Sequence, residues 1–151
     1  MEDRQVVIFD WGRTLHDPET DALFRGVPEL IAELSRRYTL ALVSLARRLP
    51  ANERRRVIEE SGIAHFFKLV FVTEEDKNEM YEKVLSELNV EPAKAIVVDD
   101  RTIRGVAWGN RRGATTIWLR QGKFAAESPN EETGEPSHII ANITELRDLL
   151  L

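Results

Sequence analysis

The sequence predicts an α/β fold, in which a mainly parallel sheet lies between two layers of helices. Two observations lead to it. Short apolar runs rich in β-branched residues recur along the chain, and segments with the apolar spacing of helices separate them. Runs that are apolar at every position suit strands buried on both faces of a parallel sheet. Because strand and helix alternate, we expect one Rossmann-like three-layer α/β/α sandwich that forms a single domain over residues 1–151.

Six apolar runs predict the strands. The first reads Val-Val-Ile-Phe and ends at Asp10, the second ends at Ser44, the third at Thr73 and the fourth at Asp99. A fifth run follows Gly113, and a short sixth run lies late in the chain. The predicted strands are 6–9, 40–43, 69–72, 95–98, 115–119 and 139–140.

Helices are predicted between these strands. Pro28 suits the first turn of one helix, Gly62 can end the next in a left-handed conformation, and Pro92 follows the third. The stretch 121–137 is rich in glycine, proline, serine and asparagine, which predicts a mobile surface loop. The expected helices are 28–37, 51–61, 76–89, a weaker one at 102–112, and 144–151.

The composition excludes several classes of site and partner. The chain has no cysteine, which excludes disulfides, thiolate zinc sites and a cysteine nucleophile. Its three histidines are far apart, which disfavours a multi-histidine metal site. The net charge is -5, so nucleic acid is not an expected partner. The chain shows neither a signal peptide nor a run of ~20 apolar residues, so we expect a cytoplasmic protein that does not bind membranes.

Polar residues that end the predicted strands form the candidate site. Asp10, Ser44, Asp99 and Asp100 follow three of the apolar runs. Lys77 lies at the start of a predicted helix, one helical turn after the run that ends at Thr73. Ligands of open α/β sheets bind at the carboxyl ends of the strands, so these side chains are expected to converge. Two roles for carboxylates, one as nucleophile and one as cation ligand, together with a hydroxyl and an ammonium, are what phosphoryl transfer to an aspartate requires.

At these residues the sequence resembles the haloacid dehalogenase-like (HAD) superfamily. The first motif of that family is an apolar strand followed by Asp-x-Asp-Gly-Thr-Leu, and here Asp10-Trp-Gly-Arg-Thr-Leu15 follows such a strand. Ser44, Lys77 and the pair Asp99-Asp100 resemble the second, third and fourth motifs, in the family's order. The resemblance covers nearly the whole chain and implies a magnesium-dependent phosphatase.

Each matching position takes a role from this resemblance. Asp10 would be the nucleophile that forms an aspartyl-phosphate, and also a ligand of Mg²⁺. The carbonyl of Gly12 and the carboxylate of Asp100, with Asp99, would complete the metal site. Ser44 and Lys77 would bind the phosphoryl group, and Thr14 would brace the loop.

The sequence departs from the family pattern at Gly12. Phosphatases of the family usually carry there an aspartate that protonates the leaving group and later activates water. Such acid–base catalysis typically raises the reaction rate by ~10²–10⁴-fold. Three interpretations stay open: a substrate with a good leaving group, a substitute acid such as His16 or Asp17, or vestigial catalysis. Arg13 replaces the usual glycine next to it, and its charge is expected to reach the site.

The spacing of the motifs leaves no room for a sizeable cap domain. About 30 residues separate Asp10 from Ser44, and helix and strand use most of that gap. An uncapped cleft favours large substrates, such as an exposed macromolecular end, or cover by a second subunit in a homodimer. Arg47, with Arg48, follows Ser44 into the expected cleft mouth and is a candidate for binding a second phosphate or an anionic polymer. The other arginine clusters, including 54–56, are interpreted as solvated helix faces.

Two functions of different class therefore remain. The first is a Mg²⁺-dependent phosphohydrolase that acts on a phosphorylated small molecule or macromolecular end. The second is a catalytically weak or inactive binding or regulatory module on the same fold, which the glycine at position 12 motivates.

Overall fold

A computed structural model describes residues 3–151 and contains a six-stranded sheet in which all strands are parallel. The strands of this sheet are β1 (Val6–Phe9), β4 (Thr39–Leu45), β5 (Leu69–Thr73), β6 (Ala95–Asp99), β7 (Thr115–Leu119) and β8 (His138–Ile140); β2 (His16–Asp17) and β3 (Ala22–Leu23) form a separate hairpin. The strand order is β5-β4-β1-β6-β7-β8, so β1 and β6 lie side by side at the centre. The predicted α/β sandwich with a parallel sheet is therefore confirmed.

Five α-helices cover the two faces of the sheet. They are α1 (Val27–Ser35), α2 (Ala51–Glu59), α3 (Lys77–Leu88), α4 (Ala107–Arg112) and α5 (Leu146–Leu150). Buried residues of α1, α2 and α5 pack on one face, whereas those of α3 and α4 pack on the other. All four residues of β1 are fully buried because alternate side chains enter the two cores, which explains why this run is apolar throughout.

Helix α3 positions the candidate lysine. Asp76 precedes the helix, and its side chain accepts a hydrogen bond of 2.8 Å from the amide of Asn78. Such a cap fixes where the first turn begins. Asn89 ends the helix in the left-handed conformation, with φ of 52°. Lys77 is therefore held at the first position of the helix, beside the carboxyl ends of the strands.

The structure adds details that the apolar pattern did not predict. A small antiparallel hairpin, β2 (His16–Asp17) and β3 (Ala22–Leu23), follows the loop after β1. The weak helix expected at 102–112 begins as a π-helical turn, Thr102–Val106, which continues into α4. Within the described residues, no helix is long and apolar enough to span a bilayer.

The loop 121–137 is attached to the rest of the fold by hydrogen bonds. The side chain of Glu127 accepts bonds of 2.8 Å from Arg101 Nε and 2.9 Å from the amide of Thr102. Asn110 donates to the carbonyls of Thr133 and Glu135 at 2.9 and 3.0 Å. Lys123 and Phe124, near the start of this loop, line the same cleft as Asp10 and Asp100 at the strand ends.

Candidate active site

The candidate site lies where the two central strands end. Asp10 directly follows β1, and its amide donates a 3.0 Å hydrogen bond to the carbonyl of Val98 in β6. This bond brings Asp10 next to Asp99 and Asp100. Three carboxylate oxygens, one from each aspartate, lie within 4.8 Å of one another. The predicted convergence of these residues is thus present in the tertiary structure.

Lys77 bridges two of the carboxylates. Its Nζ lies 2.9 Å from Asp10 Oδ1 and 3.2 Å from Asp99 Oδ2. The lysine side chain is only 3% exposed. Burial lowers the pKa of Lys77, but the charges of Asp10 and Asp99 outweigh burial and raise the pKa well above its usual value. Lys77 is therefore a fixed positive charge between two aspartates.

Asp99 has partners for both of its oxygens. Oδ2 accepts from Lys77, from the amide of Gly105 at 2.9 Å and from Tyr81 Oη at 3.4 Å, while Oδ1 accepts from the amide of Arg101 at 3.1 Å. Burial raises the pKa of Asp99, but Lys77 and hydrogen bonds, among them those from the amides of Gly105 and Arg101, outweigh burial, and the net shift is downward. A side chain at Gly105 would crowd this arrangement, since a Cβ there would lie 2.8 Å from Asp99 Oδ2.

Asp100 is buried and incompletely paired. Its Oδ2 has no hydrogen-bond partner among residues 3–151. Its backbone carbonyl accepts a 3.0 Å bond from Trp118 Nε1, which holds the residue in place. Burial, followed by the charges of Asp10 and Asp99, raises the pKa of Asp100 to about 10. A bound cation would favour the ionised form of this carboxyl group, which lies beside two other aspartates and has one oxygen without a partner in the described structure.

Asp10 presents a carboxylate that is held at both oxygens. Oδ1 accepts from Lys77, and Oδ2 accepts from Thr14 Oγ1 at 3.0 Å. Burial is the main effect on Asp10, and it raises the pKa of this carboxyl although Lys77 lowers it. The hydrogen bond from Thr14 to Asp10 also braces the loop that follows β1. Arg13, one residue earlier, has a φ of 62°, a left-handed conformation that favours glycine.

Ser44 and Arg54 form a second pair at the site. Ser44 is fully buried near the end of β4, and its Oγ accepts a 2.8 Å hydrogen bond from Arg54 Nη1. The interpretation of Arg54 as part of a solvated helix face is wrong, because α2 directs this side chain toward the strand ends. Burial lowers the pKa of Arg54, and the charge of Asp10 partly offsets that shift. The guanidinium nevertheless stays charged.

Arg54 is also the nearest neighbour of the Gly12 position among the described residues. A Cβ at Gly12 would lie 3.8 Å from Arg54 Nη1, with no nearer neighbour. His16 and Asp17, the candidate substitute acids, do not line the cleft that contains Asp10. His16 Nε2 lies 3.0 Å from Asp21 Oδ1, and its ring stacks on Trp11.

The cleft above these residues has a volume of about 200 Å³. Arg13 and Arg47, both predicted to meet substrate, line it together with Asp10, Gly12 and Asp100. Further basic residues in the lining were not predicted as a group, since they come from separate segments of the chain. They are Arg54, Arg101, Arg104 and Lys123, and Arg48 also lines the cleft.

Comparisons with known proteins identify relatives of this chain. A sequence model of the haloacid dehalogenase-like hydrolases matches residues 2–119. Glyceraldehyde 3-phosphate phosphatase of Methanopyrus kandleri is 30% identical over 94 residues, which is 59% of this chain and 40% of that protein. The chain therefore spans less than half the length of this curated relative.

Solved structures share the fold at low sequence identity. An uncharacterized protein from Listeria monocytogenes superposes with a TM-score of 0.82 and 17% identity over 97% of this chain and 96% of that one. A haloacid dehalogenase-like hydrolase from Streptococcus pneumoniae gives 0.76 and 14% over the whole of both chains. The HAD-hydrolase YfnB of Bacillus subtilis, solved with bound magnesium, gives 0.70 and 22% over 85% of this chain and 56% of that one. Because the family model covers most of its length and the fold agrees, this chain belongs to the haloacid dehalogenase-like hydrolases.

Proposed function

We propose that the protein is a Mg²⁺-dependent phosphohydrolase that acts through an aspartyl-phosphate on Asp10. The observation that carries the proposal is the Asp10 carboxylate, held between Lys77 and Thr14 beside Asp100, whose Oδ2 has no hydrogen-bond partner among the described residues. The phosphatase activity named for the Methanopyrus relative supports the same chemistry. The substrate would be a phosphorylated small molecule or the exposed phosphorylated end of a macromolecule.

The residues present fit a magnesium ion. Oxygen ligands suit Mg²⁺, and a cation would offset both the burial and the repulsion from Asp10 and Asp99 that raise the pKa of Asp100. Asp10, Asp100 and the backbone carbonyl of Gly12 are the proposed ligands. Asp99 belongs to the same acidic cluster, but its hydrogen bonds favour a role in positioning Lys77. When bound, the metal would supply charge that stabilises the transferred phosphoryl group.

The protein's own residues then divide the reaction between them. An Asp10 oxygen attacks phosphorus, and the bond from phosphorus to the leaving oxygen breaks, so that an aspartyl-phosphate forms. The leaving oxygen keeps the electron pair and takes a proton from solvent. Lys77 and Ser44 bind the phosphoryl oxygens, and Lys77 also reduces the repulsion between Asp10 and the anionic substrate. Water then hydrolyses the aspartyl-phosphate and releases inorganic phosphate.

A second candidate function is a binding or regulatory module that recognises phosphate without turnover. Gly12 favours it, because a glycine has no side chain that could protonate a leaving group or activate water. The two functions differ in one observable: both bind an anion in the cleft, but only the hydrolase releases product.

We also propose that the catalytic unit works without a sizeable cap domain. Between β1 and β4 the chain forms only the β2–β3 hairpin and α1. Between β4 and β5 it forms α2 and the short turn Ala64–Phe66. An open cleft of this kind leaves access for a large substrate, and a second subunit of a homodimer could cover it.

Release of p-nitrophenol from p-nitrophenyl phosphate tests the proposed function. We expect turnover that needs Mg²⁺, stops with EDTA and is lost in Asp10→Asn, while Asp10→Asn stays folded. Acid quenching followed by mass spectrometry is expected to find phosphate on the peptide that contains Asp10. Binding of phosphate with no p-nitrophenol release would instead support the binding module, and full activity of Asp10→Asn would overturn the assignment of the nucleophile.

A further inference from the structure

A guanidinium lies beside the position at which the family carries its acid. Gly12 has no side chain, and the nearest atom to a Cβ at that position is Arg54 Nη1, at 3.8 Å. The same Nη1 donates to Ser44 Oγ at 2.8 Å, so Arg54 is held between the predicted phosphate-binding serine and the Gly12 backbone. Arg54 is only partly exposed, unlike Arg55 and Arg56, which follow it on α2 and face solvent.

An arginine cannot do the work of a general acid, but it can stabilise charge. Its guanidinium does not give up a proton in proteins. A departing alkoxide needs that proton, since it is a strong base. A departing phosphate is a weak base and can leave as an anion, which a guanidinium binds through two parallel hydrogen bonds. The exchange of an acid for an arginine therefore favours a substrate whose leaving group is itself a phosphate.

The charge of the cleft agrees with such a substrate. Of the residues that the structure describes, seven basic and two acidic side chains line the cleft, although the whole chain has a net charge of -5. Arg101 is neutralised by Glu127 at 2.8 Å. Five others form no ion pair within the described part of the chain, and we call them the cationic rim: Arg13, Arg47, Arg48, Arg104 and Lys123.

The cationic rim extends the site beyond a single phosphate. Its members come from four separate segments: the loop after β1, the segment after β4, the π-helical turn after β6 and the turn after β7. They therefore surround the cleft mouth from several sides. Lys77 and Ser44 are the residues proposed to bind the transferred phosphoryl group, so positive charge on the rim is available to a second anionic group of the same substrate.

We propose that the substrate is a phosphoanhydride, whose terminal phosphoryl group is accepted by Asp10 and whose second phosphate leaves against Arg54 and the cationic rim. This inference rests on the proposed phosphohydrolase function and names its substrate class. A diphosphate ester, such as a nucleoside diphosphate, and inorganic pyrophosphate share this chemistry.

The reaction balances without a general acid. Asp10 forms a bond to the terminal phosphorus, and the bond from that phosphorus to the bridging oxygen breaks. The electron pair stays on the bridging oxygen, which leaves as part of the second phosphate group. Water then attacks the phosphorus of the aspartyl-phosphate, which returns the Asp10 carboxylate and releases inorganic phosphate and one proton to solvent.

A matched substrate pair tests the inference in the wild-type protein. ADP carries a phosphoanhydride, and AMP carries an alkyl phosphate on the same nucleoside. With Mg²⁺ present, we expect kcat/KM for ADP to exceed that for AMP by about 10²-fold or more, the scale of the missing acid catalysis. Pyrophosphate against glycerol phosphate makes the same comparison without a base, and it shows whether a nucleoside or only the anhydride is recognised. Glyceraldehyde 3-phosphate is included because the Methanopyrus relative carries that name.

Variants separate leaving-group stabilisation from simple phosphate binding. Arg54→Gln is expected to lower kcat/KM for ADP by about 10²-fold while p-nitrophenyl phosphate falls much less, because nitrophenolate needs little help to leave. Arg55→Gln, on the exposed side of the same helix, is the control and should change neither. The double variant Gly12→Asp with Arg54→Gln is expected to gain activity on AMP, since the backbone at Gly12 has room for a side chain.

The outcomes are distinct from those that test the proposed function. Turnover of p-nitrophenyl phosphate together with a preference for AMP or glyceraldehyde 3-phosphate over ADP would overturn the anhydride assignment and leave the phosphohydrolase intact. If Arg54→Gln lowers kcat/KM equally for ADP and for p-nitrophenyl phosphate, the anhydride assignment is also overturned, because Arg54 would then act on the transferred phosphate. Absence of turnover on every substrate would instead remove the proposed function itself. Methylenediphosphonate, which cannot be cleaved, should inhibit more tightly than inorganic phosphate, and an equal affinity would contradict a second phosphate subsite.

Discussion

Replacing Lys77 with methionine removes the only positive charge that lies directly between two buried aspartates in the described structure. Lys77 Nζ contacts Asp10 at 2.9 Å and Asp99 at 3.2 Å, and the lysine side chain is 3% exposed. Methionine keeps most of the volume but leaves both carboxylates without their partner. Removing one member of a buried ion pair costs about 3–5 kcal/mol of unfolding free energy, because the remaining charge is left uncompensated.

Urea unfolding in EDTA measures the loss of unfolding free energy, and a thermal scan in EDTA measures the accompanying fall in melting temperature. For a domain of this length, we expect the melting temperature of Lys77→Met to fall by about 6–20 °C. Lys83→Met is the control, because Lys83 lies on the same helix with its ammonium 4.8 Å from the ring of Phe71 and its side chain exposed. Lys83→Met should lose at most about 1 kcal/mol of unfolding free energy.

A double variant tests the physical reason. Asp99→Asn removes one of the two negative charges that the loss of Lys77 leaves uncompensated. Lys77→Met with Asp99→Asn should therefore lose less stability than the two single losses added together, by about 1–3 kcal/mol. A loss below about 1 kcal/mol for Lys77→Met, or strict additivity in the double variant, would refute the view that this ammonium compensates buried carboxylates.

Three further predictions concern the metal, a glycine and the loop after β1. Mg²⁺ is expected to stabilise the wild-type protein by about 2.7 kcal/mol at a hundred times its Kd, and so to raise its melting temperature. Asp100→Asn should remove that rise. Thermal scans with MgCl₂ and with EDTA check this prediction without any substrate. Gly105→Ala should cost about 1–3 kcal/mol in urea unfolding and lower phosphatase activity, because the new Cβ would meet Tyr81 Oη at 2.7 Å and Asp99 Oδ2 at 2.8 Å; a stability equal to the wild type would contradict the crowding. Arg13→Gly should be more stable than Arg13→Ala by about 1 kcal/mol, since φ is 62° at this position; equal unfolding midpoints would show that the left-handed backbone carries no cost.

Much of the fold could be predicted because strand and helix differ in their apolar spacing. The run that precedes Asp10 is apolar at every position, and β1 is buried on both faces. The hairpin of β2 and β3 escaped prediction because two-residue strands have no apolar period to detect. The division of the 102–112 helix into a π-helical turn and α4 likewise depends on hydrogen bonding that the apolar pattern does not encode.

The sequence by itself determined which polar residues stand at the ends of the strands, and therefore that Asp10, Ser44 and Asp99-Asp100 meet at one edge of a parallel sheet. Only the tertiary structure decided how neighbouring aspartates differ: Asp99 accepts bonds from Lys77 and two amides, whereas Asp100 keeps an oxygen that has no partner among residues 3–151. It also decided that Arg54 lies beside Gly12. The physical reason is that chain order and apolar period set which residues end a strand, but the rotation of a helix about its own axis and the packing of separate segments set where a long side chain reaches.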